Sequence, residues 1–103
     1  MKIIDAETDG TTLKMFLKVA RLDASTVRDF KTEWQEIWNS KIKDVSVDLR
    51  QVAFVDSSGI GALLSLSKRL PLSNPGLKLR RVQPSVHAVI ELLRLQRVFD
   101  VEA

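Results

Sequence analysis

Apolar and polar positions alternate with a period of two along two stretches of the chain. In Thr12–Ala20, Leu13, Met15, Leu17 and Val19 fall on one side and Lys14 and Lys18 on the other. Further on, Val45, Val47 and Leu49 alternate with Ser46, Asp48 and Arg50. This period predicts strands with one buried face. Phe16 breaks the first alternation from the lysine side, either tucked under a loop or exposed for contact. Between the two stretches, Val27, Phe30, Trp34, Ile37 and Trp38 recur at helical spacing as one apolar stripe, with Arg28, Lys31, Glu33 and Glu36 around it. Asn39 and Ser40 end that helix. Thr26 followed by Asp29 loosely fits a capping box at its start, with Asp replacing the usual Glu.

The remaining pattern is shorter. Ile3 and Ile4 predict a brief first strand, and Asp9-Gly10 a turn. Val52-Ala53-Phe54-Val55 is an apolar run that stops at Asp56-Ser57-Ser58-Gly59. A helix over Asp56–Leu70 follows. Its apolar residues (Ile60, Ala62, Leu63, Leu64, Leu66, Leu70) surround much of its circumference, so it should be largely buried. Pro71 and Ser73-Asn74-Pro75-Gly76 stop it and turn the chain. Leu77, Leu79 and Val82 predict a third strand. Pro84 and Ser85 open a last helix. Val86, Val89, Ile90 and Leu93 line its core face, with Leu92 and Leu95 as further candidates. Phe99 and Val101 form an edge strand or a tail. The order β-β-α-β-α-β-α, with a short terminal strand, predicts an α/β fold with a partly parallel sheet, one face of which is less covered by helices.

Length and composition narrow the function. The 103 residues make one domain with a single modest core. There is no cysteine, so disulfides, thiolate nucleophiles and cysteine-based metal sites are excluded. No apolar run approaches the roughly 18 residues of a membrane span. The opening MKIIDAETDG is too acidic and too briefly apolar for a signal peptide, so cytoplasmic residence is expected. Net charge is +3, concentrated between Lys68 and Arg97, where seven basic residues face one acid, Glu91. No aromatics are interleaved with these charges, and a solvated face is favoured over a nucleic-acid surface.

Catalytic chemistry has little to stand on. The single histidine, His87, falls within the last helix. Gly-x-Ser-x-Gly is absent, Gly59-x-Gly61 lacks the third glycine of a dinucleotide loop, and there is no phosphate loop. Carboxylates are scattered, without spacing for a metal or for glycosidase chemistry. No cofactor is expected. The one chemically distinctive place is DSSG, at a strand-to-helix turn. Asp and Ser have short oxygens that can cap free helix N–H groups, and such a helix start favours negative charge. A serine there is well placed to carry a phosphate.

The segment VDLRQVAFVDSSGIGALLSL resembles the signature region of STAS domains, specifically of the bacterial anti-anti-sigma factors. An aliphatic strand, a short loop, a D-S-S/T-G turn and an apolar helix follow in the same order. The Leu13 to Asp23 strand, ending in Leu-Asp, also resembles the family's strand that usually ends Gly-Glu-Leu-Asp. The resemblance implies a STAS-like fold with a mixed four- to five-stranded sheet and three or four helices. It further implies a partner switch. Ser57 would be phosphorylated by a serine kinase that is also the anti-sigma factor and has a histidine-kinase-like ATPase fold, and a serine phosphatase would reverse this. The unphosphorylated form would bind the kinase and the phosphorylated form would leave it. The protein is then a substrate and not an enzyme, and a monomer when free.

Asp23, Asp56, Ser57, Ser58, Gly59 and Ile60 are the expected partner-binding residues. Asp23 either lies near the serine, as in the family, or caps the first helix. Ser58 is read as a cap. Gly59 and Gly61 would let a partner approach closely, and an exposed Ile60 or Phe54 would anchor it. Arg21 stands where the family usually has Gly or Glu, and the chain ends soon after the third helix, where many relatives continue. An alternative within the family is an accessory subunit of a lipid-transport ABC system, with the helix start docked on the transporter ATPase.

Overall fold

A computed structural model describes residues 2–71 and 76–103. Seven strands and three α-helices appear among them: β1 (Ile4–Asp9), β2 (Thr12–Leu17), β3 (Arg21–Leu22), α1 (Val27–Ile37), β4 (Asp44–Asp48), β5 (Phe54–Val55), α2 (Ser57–Ser67), β6 (Leu77–Arg80), α3 (Pro84–Leu92) and β7 (Phe99–Val101), with one 3-10 turn over Leu95–Arg97. Five strands form a mixed sheet in the order β1-β2-β4-β6-β7. β1 is antiparallel to β2, and the remaining pairs are parallel. β3 and β5 pair separately as a two-stranded parallel ribbon.

The two alternating stretches supply the centre of the sheet. Met15, Val47, Leu79 and Val101 follow one another across β2, β4, β6 and β7. Leu13, Leu17, Val45 and Leu77 share their side and are fully buried. One core joins this face to Phe30 and Trp34 of α1, Ile60, Leu63 and Leu66 of α2, and Val86 and Ile90 of α3. The helices therefore cover one face. The other carries the polar rows Asp5–Phe16–Asp48–Arg80 and Glu7–Lys14–Ser46–Lys78–Asp100. Phe16 is half-buried there, beneath the guanidinium of Arg50 at 4.3 Å.

Several boundaries differ from the sequence pattern. β1 extends to Asp9 although only Ile4 in it is buried, because pairing with β2 through a two-residue turn sets its length. Gly10 takes the left-handed conformation that this turn requires, φ 62°. The capping box at α1 does not form. Thr26 makes no side-chain cap bond, and its hydroxyl instead accepts from the Asp23 N–H and donates to the Arg21 carbonyl. α3 ends at Leu92, and Arg94 turns left-handed at φ 57°. The chain thus leaves the helix axis, so Leu92 and Leu93 are 81% and 50% exposed and are not core residues. Trp34 is buried and meets the half-buried Trp38 edge-on at 5.9 Å, with Arg69 over both rings. Phe99–Val101 is an edge strand, while the turn expected at Ser73-Asn74-Pro75 lies outside the described residues.

Candidate functional site

The short β3–β5 ribbon positions the DSSG turn. Arg21 is opposite Phe54 and Leu22 opposite Val55. The Ala53 N–H donates to the Ala20 carbonyl at 2.7 Å, and the Asp56 N–H to the Leu22 carbonyl at 3.4 Å. Leu22 and Val55 point into the core. The two strands therefore finish side by side, and Asp23 and Asp56 leave them as neighbours.

Asp56 is the N-cap of α2. Its backbone is extended, and its Oδ1 accepts the Gly59 N–H at 2.9 Å. The capping oxygen expected from Ser58 thus comes from Asp56. Ser57 and Ser58, in the first turn, are both exposed. Gly59 faces inward. A Cβ there would run into the Leu22 carbonyl oxygen and lie 2.9 Å from Cγ1 of Val55. Its missing side chain serves packing against β3 and β5, not approach by a partner. Gly61 does open onto free space. Ile60 is only 5% exposed and belongs to the core, because the fourth helical position faces the sheet once Asp56 begins the helix. Of the two expected anchors, Phe54 is the exposed one, at 41%.

Asp23 is not a cap of α1. One carboxylate oxygen accepts from the Ser25 N–H at 3.0 Å and from its hydroxyl at 2.6 Å, and the other accepts from Arg21 Nε–H at 2.9 Å. The Ser25 hydroxyl bond, then the Arg21 bond, hold the Asp23 carboxyl below its ordinary range. Arg21 also lies over the Phe54 ring, 4.1 Å from its centre. The corner beside Ser57 is thus built as Phe54, Arg21 and Asp23 in contact, joined to Asp56 through the ribbon. On the other side of the α2 start, Ala24, Val27, Arg28, Lys31, Ser58, Ala62 and Ser65 line a shallow groove of about 310 Å³. A hollow of about 480 Å³ on the open sheet face, lined by Lys14, Phe16, Asp48 and Arg80 among others, is separate from this corner.

Sequence reasoning missed the Arg21–Phe54 stack and the basic groove residues Arg28 and Lys31. Arg21 stood out only as a departure from the family, and nothing in a two-residue strand shows which residue it will face. His87, on α3, pairs with Glu91 one helical turn on, 3.1 Å away, and is not part of the corner. Among the described residues, no three His, Cys, Asp or Glu side chains are grouped to hold a metal ion. No helix among them is long and apolar enough to cross a membrane.

A mixed sheet covered by helices on one face, with a capped helix start presenting exposed serines beside the β3–β5 ribbon, is the architecture of a STAS domain. Residues 4–103 match the model of that family, and the chain belongs to it. It is 26% identical over 93 residues, 90% of each chain, to a STAS-domain containing protein of Pseudomonas aeruginosa (strain UCBPP-PA14). Its fold is that of the anti-sigma factor antagonist SpoIIAA. The unphosphorylated form matches over 86% of this chain and 82% of its own, with a TM-score of 0.65 and 20% identity. The phosphorylated form, described as a Bacillus cell fate determinant, matches over 97% and 90%, with a TM-score of 0.69 and 20% identity.

Proposed function

We propose that this STAS domain is a regulatory binding module of the anti-sigma factor antagonist type, switched by phosphorylation of Ser57. The observation that carries the reading is the exposed Ser57 in the first turn of α2, directly after the Asp56 cap and at the end of the ribbon that Asp23 also leaves. The structural neighbour SpoIIAA, which exists in unphosphorylated and phosphorylated forms, supports it. The partner is a serine kinase with a histidine-kinase-like ATPase fold that doubles as the anti-sigma factor, and a serine phosphatase resets the switch. Both act on the domain in the cytoplasm, where it is a free monomer between encounters.

The chain brings a hydroxyl and no base to this chemistry. His87 lies on another element and is engaged with Glu91. The kinase supplies the base that takes the Ser57 proton. The Ser57 Oγ–P bond forms as the bond between the γ-phosphorus and the β,γ-bridging oxygen breaks, and ADP leaves. The product carries about −1.5 to −2 charges and three acceptor oxygens. Within the domain the helix start favours that charge by roughly 0.3–1 kcal/mol, so the fold need not change. At an interface the same group adds repulsion against Asp23 and Asp56 and the cost of desolvation. Phe54 and Gly61, each open at the surface, are the contacts that the unphosphorylated domain offers to the partner in this reading. The test is incubation with the cognate kinase and ATP, with the phosphate mapped by mass spectrometry. Label on Ser57 that disappears in Ser57→Ala is expected; label elsewhere, or unchanged in Ser57→Ala, refutes the assignment.

A further inference from the structure

Asp23 is the acidic residue that the family resemblance puts next to the serine, yet both of its carboxylate oxygens are already engaged within the loop. The charge that faces outward at this corner is that of Arg21, whose side chain is 60% exposed against 13% for Asp23. Arg21 leaves β3 opposite Phe54, and its guanidinium reaches two residues forward to Asp23. Asp23 follows the Leu22–Val55 pair, so the cation it holds lies toward the end of the ribbon from which Asp56 and Ser57 lead into α2. The hydrogen bond to Asp23 uses Nε, which leaves N–H donors of the terminal nitrogens for a second acceptor. The flat ring of Phe54 beneath them is a surface over which a guanidinium can turn without losing its contact.

We propose that Arg21 is the in-chain ligand of a phosphomonoester on Ser57, exchanging its ion pair with Asp23 for a forked pair with the phosphate. The inference rests on the reading of Ser57 as the acceptor. A phosphate dianion presents more charge than one carboxylate and matches the guanidinium fork in two parallel hydrogen bonds. Asp23 tolerates the loss, because the Ser25 N–H and hydroxyl remain on it. The exchange moves a cation onto the phosphate and frees one carboxylate oxygen of Asp23, so phosphorylation redistributes the charge of this corner instead of only adding to it. The charged groups around the phosphate are then Arg21 and Asp23 from the β3 end and Asp56 at the α2 start, with Arg28 and Lys31 of α1 lining the groove on the Ser58 side.

The test installs phosphoserine at position 57 by genetic encoding, so it needs no kinase and is separable from enzymatic phosphorylation of Ser57. The phosphate is titrated by phosphorus NMR in the Arg21 protein, in Arg21→Gln and in Arg21→Lys, and the Arg21 Nε–H resonance is compared with and without phosphate. A cation in contact favours the dianion, so the titration midpoint is expected to rise by roughly half a pH unit in Arg21→Gln, with Arg21→Lys in between. The Nε–H resonance is expected to move on phosphorylation. Equal midpoints in all three proteins, or an Nε–H resonance that ignores the phosphate, overturn the proposal. The second readout requires no substitution, and so holds even where a variant folds poorly. A failed result here leaves the kinase assay on Ser57 untouched, and the reverse also holds.

Discussion

Gly59 and Leu22 lie back to back, with the α-carbon of the glycine turned onto the carbonyl of the leucine so closely that a single methyl group would collide with it. That contact locks the first turn of α2 against β3. Gly59→Ala is therefore expected to lose about 1–3 kcal/mol, because backbone must shift to admit the methyl. Gly61→Ala, two residues on, meets nothing and replaces a helical glycine. It is expected to be neutral or to stabilise by up to about 1 kcal/mol. Thermal unfolding of the pair checks this, at roughly 4–8 °C of melting temperature per kcal/mol. Equal melting temperatures would refute the packing role of Gly59.

The cap is separable from the serine. Asp56→Ala removes the acceptor of the Gly59 N–H and is expected to lower stability by about 1 kcal/mol, whereas Asp56→Asn and Asp56→Ser keep an acceptor and most of that stability. Urea unfolding reads the difference. Equal losses in all three would mean that the charge of Asp56, and not its hydrogen bond, is what matters.

Asp23 provides the pH dependence of the corner. Its carboxyl lies below the usual range, chiefly through the Ser25 hydroxyl bond and next through Arg21. A depressed carboxylate contributes stability that is present above its unfolded value, about 3.9, and is lost as pH falls through the folded one. Ser25→Ala is expected to raise the Asp23 midpoint more than Arg21→Gln does, and so to bring on the acid loss at higher pH. Carbon NMR of the carboxyl in the three proteins measures it; the opposite ranking would put the ion pair first.

The placement of Ile60 and Leu92 makes a further contrast. Ile60 belongs to the core, and Leu92 is the most exposed large apolar residue of the described chain. Ile60→Ala is expected to cost about 2–5 kcal/mol and Leu92→Ala within about 0.5 kcal/mol. Denaturant titration of both variants tests which of the two helical positions the core uses.

What the sequence made legible follows its periodicity. Thr12–Ala20 and Val45–Leu49 alternate over enough residues to mark both strands and the buried side of each. Val27–Trp38 repeats often enough to mark α1 almost to the residue. β3 and β5 contain two residues each, too few for any period, so the ribbon that holds Asp23 beside Asp56 leaves no trace in the pattern. Gly59 and Gly61 look alike as letters, and only the proximity of the Leu22 carbonyl separates a packing glycine from an exposed one. Ile60 follows the same logic: an apolar residue in a turn signature reads as an anchor until the helix start fixes which way it faces. Arg21 was visible only as an oddity, and its role depends on register with Phe54, which is tertiary information. The polar identity of DSSG, by contrast, was in plain view, and both the cap and the exposed serines fall where those letters stand.

The measurement that bears most directly on the switch is calorimetry of the kinase partner with the domain unphosphorylated and phosphorylated on Ser57. Burying the phosphate beside Asp23 and Asp56 is expected to remove about 2.8 kcal/mol of binding, a roughly hundredfold loss of affinity, with Ser57→Asp weakened in the same direction and Ser57→Ala binding like the unmodified chain. Equal affinities for the phosphorylated and unphosphorylated domains would contradict the account.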